Sequence, residues 1–204
     1  MAFLDIATGD KRFFQRLLRA GGYYTGKIDG IVGPQTRAAS ARFCADADAI
    51  KQALGEFDER SEGNISTLLP DAQVLARIWL AEAKARIDKK YCVKIICGTR
   101  TYAEQHQLFL KRPRVTKADS GYSWHNFGLA FDFGVFSADG KKYYGESEQY
   151  VKMGELVPAS ITSFVTKKPI PATWGGSWKS FKDYPHIQLD LYKSTVAARA
   201  AFEA

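Results

Sequence analysis

Apolar and polar positions change period several times along the chain. In residues 10–20, DKRFFQRLLRA, Phe13, Phe14, Leu17 and Leu18 share one helical stripe, and Gly21-Gly22 stops the helix. A Gly-rich loop then leads to Pro34, a good first-turn residue, and to an Ala-rich helix. Residues 55–70, GEFDERSEGNISTLLP, are polar with Gly and Pro at the ends and form the best candidate linker, with 61–70 taken as the segment between the two domains. A helix is expected from Asp71 to Lys89, with Asp71 as a first-turn acid and Val74, Leu75, Ile78 and Trp79 at helical spacing. YCVKIIC reads as a short buried strand, TYAEQHQLFLK as a helix, LAFDFGV and HIQLDLY as strands, and STVAARAAFEA as a terminal helix. Helices and strands mix without a strand-helix-strand repeat. That predicts an α+β domain over 71–204, preceded by a small all-α module over 1–60.

Period-two alternation in LAFDFGV puts Leu129, Phe131, Phe133 and Val135 on one face and Ala130, Asp132 and Gly134 on the other. In HIQLDL the same rule separates Ile187, Leu189 and Leu191 from His186, Gln188 and Asp190. If the two strands are neighbours, Asp132 and His186 share a surface, and His125, in the turn ending at Gly128, can fold back onto it. An unpaired carboxylate in such a strand is costly to bury. Two imidazoles and one carboxylate suffice as ligands for a catalytic Zn2+, with a fourth position left for water. Asp183, three residues before His186, can sit beside that water and move its proton to a leaving amine. Arg100 offers a fixed positive charge to a substrate carboxylate or oxyanion, and Ser123 can hydrogen-bond substrate or orient a ligand. The third histidine, His106, reads as an exposed or partly buried helix residue.

Composition narrows the partners. The chain has 204 residues, 46% hydrophobic and 25% charged, as in an ordinary globular protein of one large or two small domains. Its net charge of +7 favours anionic partners such as nucleic acid, a membrane surface or a cell-wall polymer. Basic residues are interleaved with acids, which argues against a nucleic-acid groove. The N-terminus lacks the pattern of a signal peptide and no apolar run reaches membrane-spanning length, so a soluble chain made in the cytoplasm, without membrane insertion, is expected. Cys44, Cys92 and Cys97 are odd in number and lack CxxC spacing, which argues against disulfides or a thiolate zinc site; Cys92 and Cys97 read as buried structural thiols.

Two stretches resemble known families. RLLRAGGYYTGKIDGIVGPQTRAA resembles the three-helix peptidoglycan-binding domain, with Leu17, Leu18, Gly22, Tyr23, Tyr24, Gly26, Asp29, Gly30, Gly33 and Thr36 at its fixed offsets. Tyr23 and Tyr24 are then candidates for wall contact, with loop packing the other reading. Further on, Ser123, His125, Gly128, Ala130 and Asp132, then Trp174, Gly175, Gly176 and Trp178, then Asp183 and His186 resemble the three blocks of the zinc LD/DD-peptidase family. This second resemblance implies a Hedgehog/DD-peptidase-like fold with zinc on His125, Asp132 and His186, Asp183 as general base, and Arg100 with Ser123 polarising or holding substrate. Gln105, Trp174 and Trp178 become candidates for substrate contact, with support of the active-site wall the other reading for Gln105 and packing against the glycines the other reading for the two tryptophans. The implied activity is cleavage of the peptidoglycan stem peptide by a monomer. The Trp-Gly-Gly-x-Trp block and the Asp before the last His favour the L-alanyl-D-glutamate bond. A DD-carboxypeptidase or endopeptidase acting at D-Ala is the alternative, as is a non-catalytic zinc-containing wall-binding protein. An endolysin released through holin pores, or an effector delivered by a secretion machine, would reach such a substrate.

Overall fold

In the computed structural model, which describes residues 3–113, 115–145 and 147–204, the chain opens with three helices: α1 (Phe3–Gly9), α2 (Lys11–Ala20) and α3 (Pro34–Leu54). Asp10 caps α2, its carboxylate accepting the Phe13 N–H at 2.9 Å, and the stripe from Phe13 to Leu18 is buried as the spacing predicts. The Gly-rich loop between α2 and α3 is organised by a residue the periodicity did not single out. Gln15 is fully buried, its amide N–H groups reaching Asp29 Oδ1 at 2.9 Å, Tyr24 Oη at 3.2 Å and the Ile31 carbonyl at 3.2 Å. Its Oε1 accepts the N–H of Gly30, whose φ of +81° favours glycine.

The segment read as a linker is not an extended tether. It contains α4 (Glu59–Ile65) and leads, through buried Leu68 and Leu69, into α5 (Pro70–Arg86). Several of its polar side chains bond to distant parts of the chain. Glu62 takes both ends of the buried Arg77 guanidinium at 2.8 and 2.7 Å, Ser61 Oγ accepts the Ile95 N–H at 3.0 Å, and Asn64 donates to the Ile95 carbonyl at 3.1 Å. Composition marks these residues as polar but does not reveal where their partners lie.

The remaining elements are β1 (Tyr91–Cys97), α6 (Tyr102–Leu110), β2 (Ala130–Ser137), β3 (Tyr143–Tyr144), α7 (Gln149–Gly154), β4 (Ser160–Thr162), β5 (Pro169–Trp174), β6 (His186–Leu189) and α8 (Thr195–Glu203). All strand pairs are antiparallel, in the order β1-β2-β6-β5-β4, with β3 added to β2. The result is the expected α+β arrangement. Helix α5 covers one face of the sheet, with Trp79 packed on Phe131 and Phe133 at ring separations of 5.6 and 4.6 Å. The Trp79 indole N–H donates to the Met153 carbonyl at 2.9 Å, satisfying the one polar group that this burial would strand. Asp71, read as a first-turn acid, also accepts from Ser163 Oγ and the Phe164 N–H, tying α5 to the turn after β4. No helix among the described residues is long and apolar enough to cross a membrane.

The N-terminal helices and the sheet share one core. Phe13 of α2 packs against Tyr102 of α6 and Phe202 of α8 at ring separations of 5.7 and 5.2 Å. Gly128 lies at φ +67°, its carbonyl accepts the Leu69 N–H at 2.9 Å, and a Cβ there would come within 3.0 Å of Leu17. Heating the full chain should therefore give one cooperative transition by calorimetry. A chain limited to residues 71–204 should show no native near-UV signal; two separate transitions in the full chain would mean that the shared core does not couple the parts.

Candidate metal centre

The strand register decides the site. In the β2–β6 pairing Asp132 lies directly opposite His186, and in the β1–β2 pairing it lies opposite Cys97, beside a register shift between Ile95 and Cys97. His125 comes from the single 3-10 turn at 124–127 that precedes β2. Asn126 holds that turn in place: fully buried, it accepts from the Gly121 N–H at 3.0 Å and donates to the Arg100 carbonyl at 2.9 Å. The alternation of the two strands and the position of the turn thus bring His125, Asp132 and His186 together.

Three ligand-type atoms converge. His125 Nε2 is 3.1 Å from Asp132 Oδ1 and 3.2 Å from His186 Nδ1, and His186 Nδ1 is 3.3 Å from the same Asp132 oxygen. Each imidazole has its other nitrogen on a carbonyl-type acceptor: His125 Nδ1 on Gly98 O at 2.8 Å, and His186 Nε2 on Gln188 Oε1 at 3.0 Å. In the neutral rings those acceptors fix the N–H groups on the far side, so two lone pairs and a carboxylate oxygen face one point. A cation satisfies such a cluster. Ligand atoms spaced about 3.3 Å apart match a tetrahedral zinc with bonds of about 2.0–2.1 Å. The residues present fit that metal.

Cys97 is the neighbour the sequence reading set aside. Its Sγ lies 4.0 Å from His125 Nδ1, the nitrogen occupied by Gly98, and accepts from Arg100 Nε at 3.0 Å. Cys97, His125 and Asp132 offer a second set of ligand-type atoms, all within 4.8 Å of one another. The His186 set is tighter and presents lone pairs to a common point, whereas the Cys97 sulfur lies 4.0 Å from a histidine nitrogen that already bonds to the Gly98 carbonyl. His125, Asp132 and His186 are therefore the better ligand set, with Cys97 behind it.

Charge separates the members of the cluster. Burial would raise the Asp132 carboxyl, but His125, His186 and Arg100 around it hold it well below the usual carboxylate range. Burial and the neighbouring Arg100 guanidinium push His125 down to about 4, so its Nε2 lone pair is present throughout the neutral range. Burial works against a proton on His186 too, yet Asp132 and Asp183 outweigh it and raise that imidazole. Asp183 is raised by its own burial and then by the Asp132 charge.

Arg100 sits closer to the cluster than a substrate clamp needs to. Its Nη2 donates to Asp132 Oδ2 at 2.5 Å and its Nη1 to Gln105 Oε1 at 3.1 Å, leaving Asp132 Oδ1 to the histidines. Gln105, a candidate for substrate contact, is fully buried and donates to the Ala118 carbonyl at 2.7 Å; it braces Arg100 instead. Around the cluster is a cavity of about 370 Å³, whose lining includes Ser123, Trp178, Phe181 and Asp183. Trp178 stacks near His186 at a ring separation of 5.2 Å and keeps its place in the wall. Trp174 does not: its indole N–H donates to the Tyr184 carbonyl at 2.8 Å, and its ring fills the space a Cβ would need at Gly154 and Gly176. Gly175 allows its backbone to lie against Asp183, whose N–H donates to the Gly175 carbonyl at 3.1 Å.

The other candidates fall away from the cavity. Tyr24 is buried, with its hydroxyl donating to the Lys27 carbonyl at 2.8 Å, and Tyr23 bonds to Asp46 at 2.5 Å and packs edge-on to Phe43. Both tyrosines hold the helical module together rather than offering a free contact. His106 pairs with Asp119 at 2.8 Å on the exposed side of α6, outside the cluster as expected. A larger groove of about 1000 Å³ between α3, α4 and α5, lined by Lys51, Glu56 and Arg60 among others, contains none of the cluster residues.

The chain is similar to several known proteins. Residues 116–189 match the family described as D-alanyl-D-alanine carboxypeptidase. The peptidoglycan L-alanyl-D-glutamate endopeptidase CwlK of Bacillus subtilis (strain 168) is 35% identical over 111 residues, covering 52% of this chain and 65% of CwlK, so the chain spans just under two thirds of that relative. The crystal structure of Serratia marcescens L-Ala D-Glu endopeptidase ChiX aligns with 25% identity and a TM-score of 0.44, over 65% of this chain and 88% of that one.

The ligand set has measurable consequences. His125→Ala should abolish stoichiometric zinc uptake in a chelator competition, whereas His106→Ala and Cys97→Ser should retain it; zinc loss in the Cys97 variant would move the site toward the thiol. Protons and zinc compete for His186 Nδ1. Because the His186 pKa is raised, zinc affinity should decline with acidification before an unperturbed histidine would titrate.

Proposed function

We propose that the chain belongs to the zinc LD/DD-peptidase family and is a peptidoglycan hydrolase that cuts the stem peptide between L-alanine and D-glutamate, a reading supported by the match of residues 116–189 to the D-alanyl-D-alanine carboxypeptidase family. The observation that carries the reading is the convergence of His125, Asp132 and His186 with Asp183 in the same cavity, since a merely structural metal site has no need of a fourth, separate acid. The name of the relative CwlK supports the choice of bond, and so do Trp178 beside the cluster and Asp183 ahead of His186.

His125, Asp132 and His186 would hold the metal. Zinc, when bound, supplies a Lewis acid that polarises a carbonyl and lowers the pKa of water toward ~7. Asp183, its carboxyl raised by burial, is suited to take a proton from the attacking water and return it to the leaving amine. Arg100 fixes Asp132 through one oxygen and places positive charge beside the position where an oxyanion develops. Ser123 stands in the cavity wall and can receive a substrate hydrogen bond. The N-terminal module, whose loop has the peptidoglycan-binding pattern, would retain the enzyme on the wall, aided by the net charge of +7.

The family description, D-alanyl-D-alanine carboxypeptidase, favours one rival: cleavage at D-Ala. Mass spectrometry of digested purified peptidoglycan separates the two. New N-terminal D-Glu with free L-Ala carboxyl groups is the expected result; released D-Ala would select the rival, and no soluble product from zinc-loaded protein would leave only wall binding. Asp183→Ala should lower cleavage by at least about 100-fold with zinc retained, and undiminished turnover would remove Asp183 from the proton transfer.

A further inference from the structure

Behind His186 runs a chain of polar contacts that the proposed reaction does not use. Gln188 lies two residues along β6, on the same face, and is buried; its Oε1 meets His186 Nε2 at 3.0 Å. The Gln188 amide nitrogen donates to Asp190 Oδ1 at 2.5 Å, and Thr173 Oγ1 of β5 donates to Asp190 Oδ2 at 2.5 Å. A carboxylate can only accept. Asp190 therefore forces the NH₂ end of Gln188 toward itself and the oxygen end toward His186. That oxygen demands an N–H on His186 Nε2, which leaves the Nδ1 lone pair for the cluster.

From this we infer that Gln188, aligned by Asp190 and Thr173, is a positioning residue that sets the tautomer and ring orientation of His186 and thereby the metal affinity of the site. The inference rests on the metal reading above. His125 needs no comparable device, because its far nitrogen is held by the Gly98 backbone carbonyl. Outer partners of this kind are typically worth about 10–100-fold in metal affinity.

Reversing the polarity of the pair tests the idea. Gln188→Glu alone sets two carboxylates against each other, and Asp190→Asn alone lets the Gln188 amide turn over. Combined, they restore every bond: the carboxylate at 188 accepts from His186 and from the amide at 190, whose oxygen accepts from Thr173. Zinc affinity by chelator competition should fall about 10–100-fold in the single variants and recover in the double variant. Circular dichroism of the metal-free proteins serves as the folding control. A role in packing alone would not be rescued by exchanging charges. Unchanged affinity in the single variants, or a folded double variant binding no tighter than they do, would overturn the inference. Wild-type protein that takes up zinc but cleaves no peptidoglycan would sink the proposed function and leave this inference standing on the affinity series; wild-type protein that takes up no zinc would sink both.

Discussion

Burying the Asp132 carboxylate is the constraint around which the site is arranged. A strand in the middle of an antiparallel sheet is a poor place for a negative charge unless cationic or hydrogen-bonding partners surround it. Here they come from three directions: Arg100 after β1, His125 from the turn before β2, and His186 directly across on β6. Each partner depends on a different part of the backbone. A shift of one residue of β6 against β2 would turn His186 to the opposite face and leave Asp132 without it.

That constraint also explains why a polar cluster can stand beside a dense aromatic core. Phe131 and Phe133 face α5 while Asp132 between them faces the cavity, so a single strand separates two environments. Gly175 and Gly176 bring the loop after β5 against Asp183 and beneath the Trp174 ring, where a larger residue would push the acid away from the metal ligands. Apolar packing fixes positions, and hydrogen bonds fix the directions in which lone pairs point.

Much of this was legible in the sequence. Period-two alternation put Asp132 and His186 on the less crowded faces of their strands, and the three blocks around His125, Trp174 and Asp183 supplied the pairing that alternation could not. What escaped was long-range. The polar stretch at 55–70 resembled a tether because Glu62, Ser61 and Asn64 have partners more than ten residues away in Arg77 and Ile95. Gln15 and Asn126 were invisible for the same reason: an amide inside a helix or turn gives no periodic signal, yet each organises a loop. Gln105 and Trp174 were placed near the site by pattern with two readings each, and their hydrogen bonds favour bracing over lining. Gln188 and Asp190 lay on the correct face in plain alternation, without a motif to mark them.

The two histidines differ in how they can evolve. His125 is oriented by the backbone carbonyl of Gly98, and a Cβ at that position would collide with the Asn64 carbonyl oxygen, so this acceptor keeps its place only while residue 98 has no side chain. His186 is oriented by a side-chain amide, which mutation can shorten, charge or delete. One half of the cluster therefore depends on the absence of a side chain at 98, the other on the kind of side chain at 188. Position 188 can be graded by substitution, whereas position 98 offers no intermediate choice, so the second histidine is the adjustable member of the pair.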